Sequence, residues 1–270
     1  MKTRYPAGFL LSFNLNIISI SSYKTELFRF LEEKLDVLFF GSHPDDIELA
    51  CGGTVAKLVN SGRKVGIIDL TEAELSSRGN PELRQKETDD ASKILGISVR
   101  ENLKLKDGNI LNNEDSRDKV ISVIRKHTPK IVFAPYPLDR HPDHINASNL
   151  IREASFYSGL KKIDNGQPHH RPEKVLYYQQ AYEIPAIMIM DISDTFEKKI
   201  EAIRAYGSQF YNPDYQGSDS EPATLISSEL FLKEIEARAR HYGFKIGREF
   251  GEPFFSYEAV RVNSETIFEI

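Results

Sequence analysis

Two short runs hold most of the groups in this chain that could do chemistry together. They are Ser42-His43-Pro44-Asp45-Asp46-Ile47-Glu48 and, about a hundred residues later, Arg140-His141-Pro142-Asp143-His144. Three of the seven histidines fall in them. Three imidazole and carboxylate groups on one ion, with a position left open for water, are the usual build of a catalytic zinc centre. A lone His-Pro-Asp-Asp run would read as a helix cap with a locally bonded histidine. Two such runs that converge make a metal-dependent hydrolase the leading reading.

Convergence depends on the elements that carry them. Each run follows an apolar stretch with strand character, 35–40 and 130–134. Segments leaving the carboxyl ends of parallel strands meet in one crevice. The rest of the chain alternates strand and helix patterns, which implies βαβ units. Helices are expected over 52–60, 81–95, 117–127 and 143–157, and strands over 64–70 and 102–105. Pro81 suits a first helical position, and Gly96 a helix end. Beyond Arg171 the pattern changes to two paired strands, 174–182 and 186–192, and two helices, 195–206 and 229–242. The stretch 209–224 is rich in Gly, Ser, Asp and Pro and reads as a surface loop or lid. The fold class is α/β: a Rossmann-like three-layer sandwich with a mostly parallel sheet and helices on both faces.

Bulk properties narrow the function. At 270 residues, 40% apolar and 28% charged, the chain is long enough for one large α/β domain. A net charge of −5 argues against binding nucleic acid through phosphate contacts. The single cysteine, Cys51, excludes an internal disulfide and a cysteine-based zinc site, and fits a reducing, cytoplasmic compartment. It reads as a small buried residue beside Gly52-Gly53, which lacks the spacing of either nucleotide fingerprint. No apolar run reaches the 18 residues that a membrane span needs. Residues 1–33 form an extension with a poor secretory pattern, Lys2 and Arg4 preceding an apolar stretch broken by Ser12, Asn14 and Asn16, and a mis-assigned start codon is an equal reading.

His-Pro-Asp-Asp-x-Glu followed by Gly-Gly, with the downstream Arg-His-Pro-Asp-His, resembles the PIG-L-like (LmbE-type) zinc-dependent N-acetylglucosamine deacetylases. Asp69-Leu70-Thr71-Glu72, Ser77-Arg78-Gly79, Phe133-Ala134-Pro135-Tyr136 and His170-Arg171-Pro172 extend the resemblance toward the bacillithiol-biosynthesis branch. The resemblance implies a deacetylase domain over 34–270 and His43, Asp46 and His144 as metal ligands, with zinc as the cofactor and Fe²⁺ or Mn²⁺ as alternatives. It implies Asp45 as general base, and His141 as the group that stabilises the oxyanion or protonates the leaving amine. Asp143 is implied to orient His141 and keep it charged. Arg78 and Arg140 match substrate- or anion-binding positions. The implied substrate is an N-acetylglucosamine conjugate with an anionic aglycone, N-acetylglucosaminyl malate first. Chitobiose-type or antibiotic-precursor conjugates are alternatives, as is a non-catalytic sugar-binding protein. A homo-oligomer such as a hexamer is also implied.

The remaining histidines read as structural: His127 and His241 at helix ends, where a cation complements the dipole, and His169-His170 in a polar loop. Glu48 fits a helix's first turn without a catalytic role. Because the domain pattern starts near Leu35, a protein beginning at Lys34 is expected to fold and to keep its activity. Insolubility or inactivity of that shortened chain, beside an active full-length protein, would make residues 1–33 part of the domain.

Overall fold

A computed structural model describes residues 34–218 and 221–259; the expected extension over 1–33 lies outside the described residues. Seven strands form one sheet: Val37–Gly41 (β1), Val65–Thr71 (β2), Val99–Leu105 (β3), Ile131–Pro135 (β4), Lys174–Tyr178 (β5), Met188–Asp191 (β6) and Gly251–Phe255 (β7). Their order is β3-β2-β1-β4-β5-β7-β6, with β1 to β5 parallel and β7 antiparallel to both its neighbours. Every residue of β1 and β2 is buried, the pattern of strands covered on both faces.

Among the described residues six helices supply the cover: Asp46–Asn60 (α1), Pro81–Leu95 (α2), Glu114–His127 (α3), Pro142–Tyr157 (α4), Phe196–Arg204 (α5) and Glu229–Lys245 (α6). Alternate side chains of β1 divide between the two faces. Leu38 and Phe40 pack with α3 and α4 through Val120, Ile124, Leu150 and Ile151. Val37 and Phe39 pack with α1, α2 and α5 through Ile47, Val55, Leu95 and Ala202. The expected three-layer α/β sandwich is the observed one. Among the described residues no helix is long and apolar enough to cross a membrane.

Several elements differ from the sequence reading. Helix α1 starts at Asp46, not at residue 52, so the first chemical run is itself the helix start. Asp46 and Glu48 occupy its first turn, where negative charge complements the helix dipole. Gly52 and Gly53 lie inside the helix, where Lys199 of α5 and Ile192, which follows β6, pack against it. A Cβ on Gly52 would come 3.1 Å from Lys199 Cγ, and one on Gly53 would lie within 2.9 Å of three Ile192 atoms. Helix α3 begins three residues earlier than expected, capped by Asn113, whose side chain accepts the Ser116 N–H at 2.9 Å. Strand β3 likewise begins three residues early, at Val99.

The two strands expected to pair after residue 171 do not. β7 lies between β5 and β6 and pairs with each. Sequence reasoning missed it because Pro253 sits in a five-residue run, and proline demotes a strand. The β5–β7 register ends at Tyr178↔Phe254, one residue short of Pro253, so the absent N–H is not needed on that side.

Gly53 carries a stability prediction. Alanine is ordinarily better than glycine inside a helix by about 1 kcal/mol, yet here its methyl meets Ile192, and overpacking costs about 1–3 kcal/mol. Gly53→Ala is therefore expected to lower the urea midpoint. An unchanged or higher midpoint would mean that the Ile192 side chain can yield.

Candidate active site

Strand order reverses between β1 and β4: β2 and β3 lie to one side, β5 and β7 to the other. The carboxyl ends at such a reversal splay apart and leave a crevice. The first run leaves β1 there and enters α1; the second leaves β4 and enters α4 at Pro142. Topology thus brings together groups a hundred residues apart.

His43, Asp46 and His144 each offer one ligand atom within 4.8 Å of the others. Asp46 Oδ2 lies 3.6 Å from His43 Nδ1, and Asp46 Oδ1 lies 3.4 Å from His144 Nε2. Ligands about 2.0–2.2 Å from a tetrahedral zinc stand roughly 3.3–3.6 Å apart, the spacing that each imidazole keeps from one Asp46 oxygen, and the three residues could hold a metal ion. The far nitrogen of each imidazole is held by a carboxylate. His43 Nε2 lies 3.1 Å from Asp107 Oδ1, and His144 Nδ1 lies 3.0 Å from Asp139 Oδ1. Carboxylate–histidine pairs of this kind fix which ring nitrogen faces a metal. His43, His141 and Asp143 also approach one another closely. That set is the poorer ligand cage, because Asp143 already accepts the Gly108 N–H at 2.7 Å and the Ile110 N–H at 3.3 Å.

The two adjacent aspartates have opposite environments. Burial would raise Asp46, but His144 and His43 outweigh it and hold the carboxyl well below the usual range. Burial pushes Asp45 up to about 7 against the opposing charge of Arg84, with Asp46 adding to the rise. Neighbouring carboxyls driven apart in this way suit different tasks. His144 reaches about 9 because Asp46 and Asp139 overcome the effect of its burial. His141 moves the other way: burial, then the charges of His144 and His43, hold it below the usual histidine value.

The cluster opens into a cavity of about 770 Å³, within the size range of small-molecule sites. Family comparison matches residues 38–155, which contain both runs, to the family described as PIG-L: GlcNAc-PI de-N-acetylase. A diacetylchitobiose deacetylase of Thermococcus kodakarensis is 32% identical over 231 residues, 80% of this chain and 80% of that protein. A Bacillus cereus protein named "Probable N-acetyl-alpha-D-glucosaminyl L-malate deacetylase 2" is 26% identical over 187 residues, 64% of this chain and 83% of the other. The crystal structure of a conserved protein from Thermus thermophilus, TT1542, superposes with a TM-score of 0.77 at 34% identity, covering 85% of this chain and 98% of that one. The chain belongs to the PIG-L family.

It is an enzyme of the deacetylase type, a hydrolase of amide bonds. Within this PIG-L site the expected residues divide. His43, Asp45, Asp46, His141, His144 and Arg140 line the cavity. Arg140 is exposed, and no protein partner holds it among the described residues. Arg78 does not line the cavity. Its Nε donates to the Ser208 carbonyl at 2.8 Å, Nη1 donates to Pro222 O at 3.3 Å, and the guanidinium lies over the Tyr215 ring. Arg78 thus ties Ser208 to Pro222 within the connection that contains the expected 209–224 loop. Asp143 meets His141 through its backbone. Its backbone N–H donates to His141 Nδ1 at 3.2 Å, while its carboxylate faces Gly108, Ile110 and His43. Burial, then the charges of His144 and His43, hold His141 below its usual value, while Asp46 and Asp143 act the other way.

Four residues of the site escaped sequence reasoning. Asp139 stands five positions before His144, inside the second run's approach, and was legible there as a further carboxylate. Asp107 follows β3, a third strand end, and that position was its only signal. Arg84, from α2, donates to Asp45 Oδ2 at 3.0 Å, with nothing local to announce it. Arg100, from β3, pairs with the buried carboxylates of Glu48 and Asp69, so Glu48 is anchored more firmly than a first-turn residue requires. Cys51 and His170 are as expected: the thiol is buried, and His170 Nε2 meets Pro129 O at 2.7 Å.

Metal content separates the two layers of carboxylates. Asp46→Ala removes a donor and should leave the purified protein without its metal. Asp139→Asn should keep the site but weaken affinity about 10–100-fold, the usual effect of losing such a partner. Zinc titration of both variants checks this, and full-strength binding by Asp46→Ala would remove Asp46 from the ligand set.

Proposed function

We propose that this chain removes the acetyl group from the amine of an N-acetylglucosamine conjugate by metal-assisted hydrolysis, releasing free amine and acetate. The observation that carries the reading is the convergence of His43, Asp46 and His144 beside a second, differently tuned carboxylate, Asp45, in the lining of a cavity. A divalent ion held by the three ligands would supply Lewis-acid activation of water and of the amide carbonyl. Zinc is the first choice, with Fe²⁺ and Mn²⁺ accepted by the same donors.

Asp45 then accepts a proton from the water that attacks the amide carbon, the task of a positioned general base. His141 serves as a neutral donor. Its Nδ1 accepts a hydrogen bond from Asp143 N–H, so an uncharged ring carries its proton on Nε2 and can donate to the developing oxyanion. Proton return to the departing glucosamine nitrogen falls to Asp45, which holds the proton it took.

For the aglycone, malate or a similar carboxylate is the first reading, and Arg140 is the side chain that would meet it. The similarity to a diacetylchitobiose deacetylase supports a second reading, in which a further sugar fills the cavity against Phe231 and Tyr182. The proposal includes a deacetylase domain over 34–270, a cytoplasmic location and a homo-oligomer, a hexamer by family resemblance.

Acetate release from N-acetylglucosaminyl malate, N,N'-diacetylchitobiose and free N-acetylglucosamine by the zinc-loaded protein tests the reading. Arg140→Ala should raise KM for the malate conjugate about ten- to a hundred-fold, the worth of a charge-assisted hydrogen bond, and leave diacetylchitobiose little changed. Equal losses on both would remove the carboxylate from the proposal. The rate should fall as pH drops through about 7 or below, because only ionised Asp45 accepts a proton and a nearby cation shifts that limb lower. Asp45→Asn should keep its zinc, lose about two to four orders of magnitude in kcat and lose the acidic limb. A fully active Asp45→Asn protein would end Asp45's role as base.

A further inference from the structure

The short segment that follows β5 is fixed from several directions. Gln179 Oε1 accepts the hydroxyl of Tyr242 in α6 at 2.6 Å, and the Gln180 carbonyl accepts Arg238 Nη1 from the same helix. The Ala181 N–H donates to Asp139 Oδ2 at 2.8 Å. Asp139 is also the carboxylate behind His144. One side chain therefore orients a candidate metal ligand and seats this segment beside it.

Two side chains of the segment take no part in these bonds. Gln180 lines the cavity, and its Nε2 is buried without a hydrogen-bond partner among the described residues. A buried amide left in that state is costly, and native proteins hold few of them. The structural bond of Gln180 is made by its carbonyl, so packing alone does not require the amide. Tyr182 lines the cavity as well and is 48% exposed, a large ring kept at the wall by a fixed backbone.

The charge beside them is balanced. Arg238 Nη2 lies 3.4 Å from Glu234 Oε2, one turn earlier in α6, and both residues line the cavity with Leu230 and Phe231. A balanced pair exerts little pull on a free carboxylate, yet it offers donors and acceptors to hydroxyl groups. An amide, a neutralised ion pair and an aromatic ring on an apolar wall suit a group with hydroxyls at its edge and C–H bonds on its faces.

We propose that Gln180 and Tyr182 form a subsite for a second, uncharged pyranose, linked to the N-acetylglucosamine whose amide meets the metal-ligand cluster. The Gln180 amide exchanges hydrogen bonds with hydroxyls of that ring, and one ring face lies on Tyr182. The subsite rests on the deacetylase reading and takes the second of its two aglycones. The Asp139 tie places it next to the cluster, one sugar away from the reacting amide.

Kinetics of the zinc-loaded full chain on N,N'-diacetylchitobiose and free N-acetylglucosamine test the subsite. Wild type should show the higher kcat/KM on the disaccharide. Gln180→Met keeps the side chain's length and removes its amide. It should lower kcat/KM on diacetylchitobiose about three- to tenfold more than on free N-acetylglucosamine, the worth of a neutral hydrogen bond. The difference should appear in KM, because the bond is made equally in ground and transition states, and zinc content should not change. Tyr182→Ala, at an exposed position where folding is not at stake, should show the same bias. Equal losses on both substrates, no loss, or a wild type that prefers N-acetylglucosaminyl malate would overturn the subsite and leave the deacetylase reading in place. A wild type that releases acetate from none of the three would instead sink the deacetylase reading. Calorimetric titration with diacetylchitobiose then decides the subsite alone: binding weakened about three- to tenfold by Gln180→Met supports it, and equal or absent binding overturns it.

Discussion

A carboxylate between two imidazoles, buried at the first turn of a helix, is the arrangement on which the rest of this site depends. Asp46 is 4% exposed, and a buried anion is costly unless it is paired and hydrogen-bonded. His43 and His144 flank it, the His43 N–H donates to Oδ2 at 3.0 Å, and the start of α1 adds the positive end of its dipole. Each flanking ring is fixed from behind by Asp107 or Asp139. Those carboxylates in turn take backbone N–H groups: Leu75 on Asp107, and His141 and Ala181 on Asp139. The loops that follow β2, β4 and β5 are thereby tied to the same centre, so its geometry is a property of the sheet's whole carboxyl edge.

What was legible in the sequence was the part whose signal is local. The two His-Pro-Asp runs, their apolar strands and the alternation of strand and helix need only neighbouring residues to be read, and they led to the parallel sheet and to the cluster at its edge. The start of α1 was misjudged because Gly52-Gly53 resembles a helix beginning, whereas the glycines answer to Ile192 and Lys199, some 140 residues away. β7 was hidden by Pro253, harmless only where the β5 ladder has already stopped. Arg84 and Arg100 carry no local mark at all, and Asp107 only its place after a strand end. Their roles exist only after α2 and β3 have packed beside β1.

The same distinction explains the two arginines expected at the substrate. Arg78 stands in a glycine-flanked loop, where an unoccupied cation was a fair reading. In the fold it spans Ser208 and Pro222, two ends of one long connection, and so shapes the route into α6. From there Leu225, Ile226, Leu230 and Phe231 join the cavity wall. Arg140 keeps its head free at the rim. The cavity wall beyond the cluster is thus built by the ends of β4 and β5 and the start of α6.

Charge gives the last step. Asp45, Asp46, Asp107, Asp139 and Asp143 surround the cluster, while Arg84 is the one permanent cation bonded to any of them among the described residues. Protonating His43 and His144 offsets part of that excess, which is why both sit above the usual histidine range. A divalent cation would offset it with the imidazoles neutral, which is the form in which they bind metal. The two states compete for the same lone pairs, so metal affinity must fall as pH falls and binding must release protons. The aspartates that hold the rings in place would therefore also set the pH range over which the site keeps a metal ion.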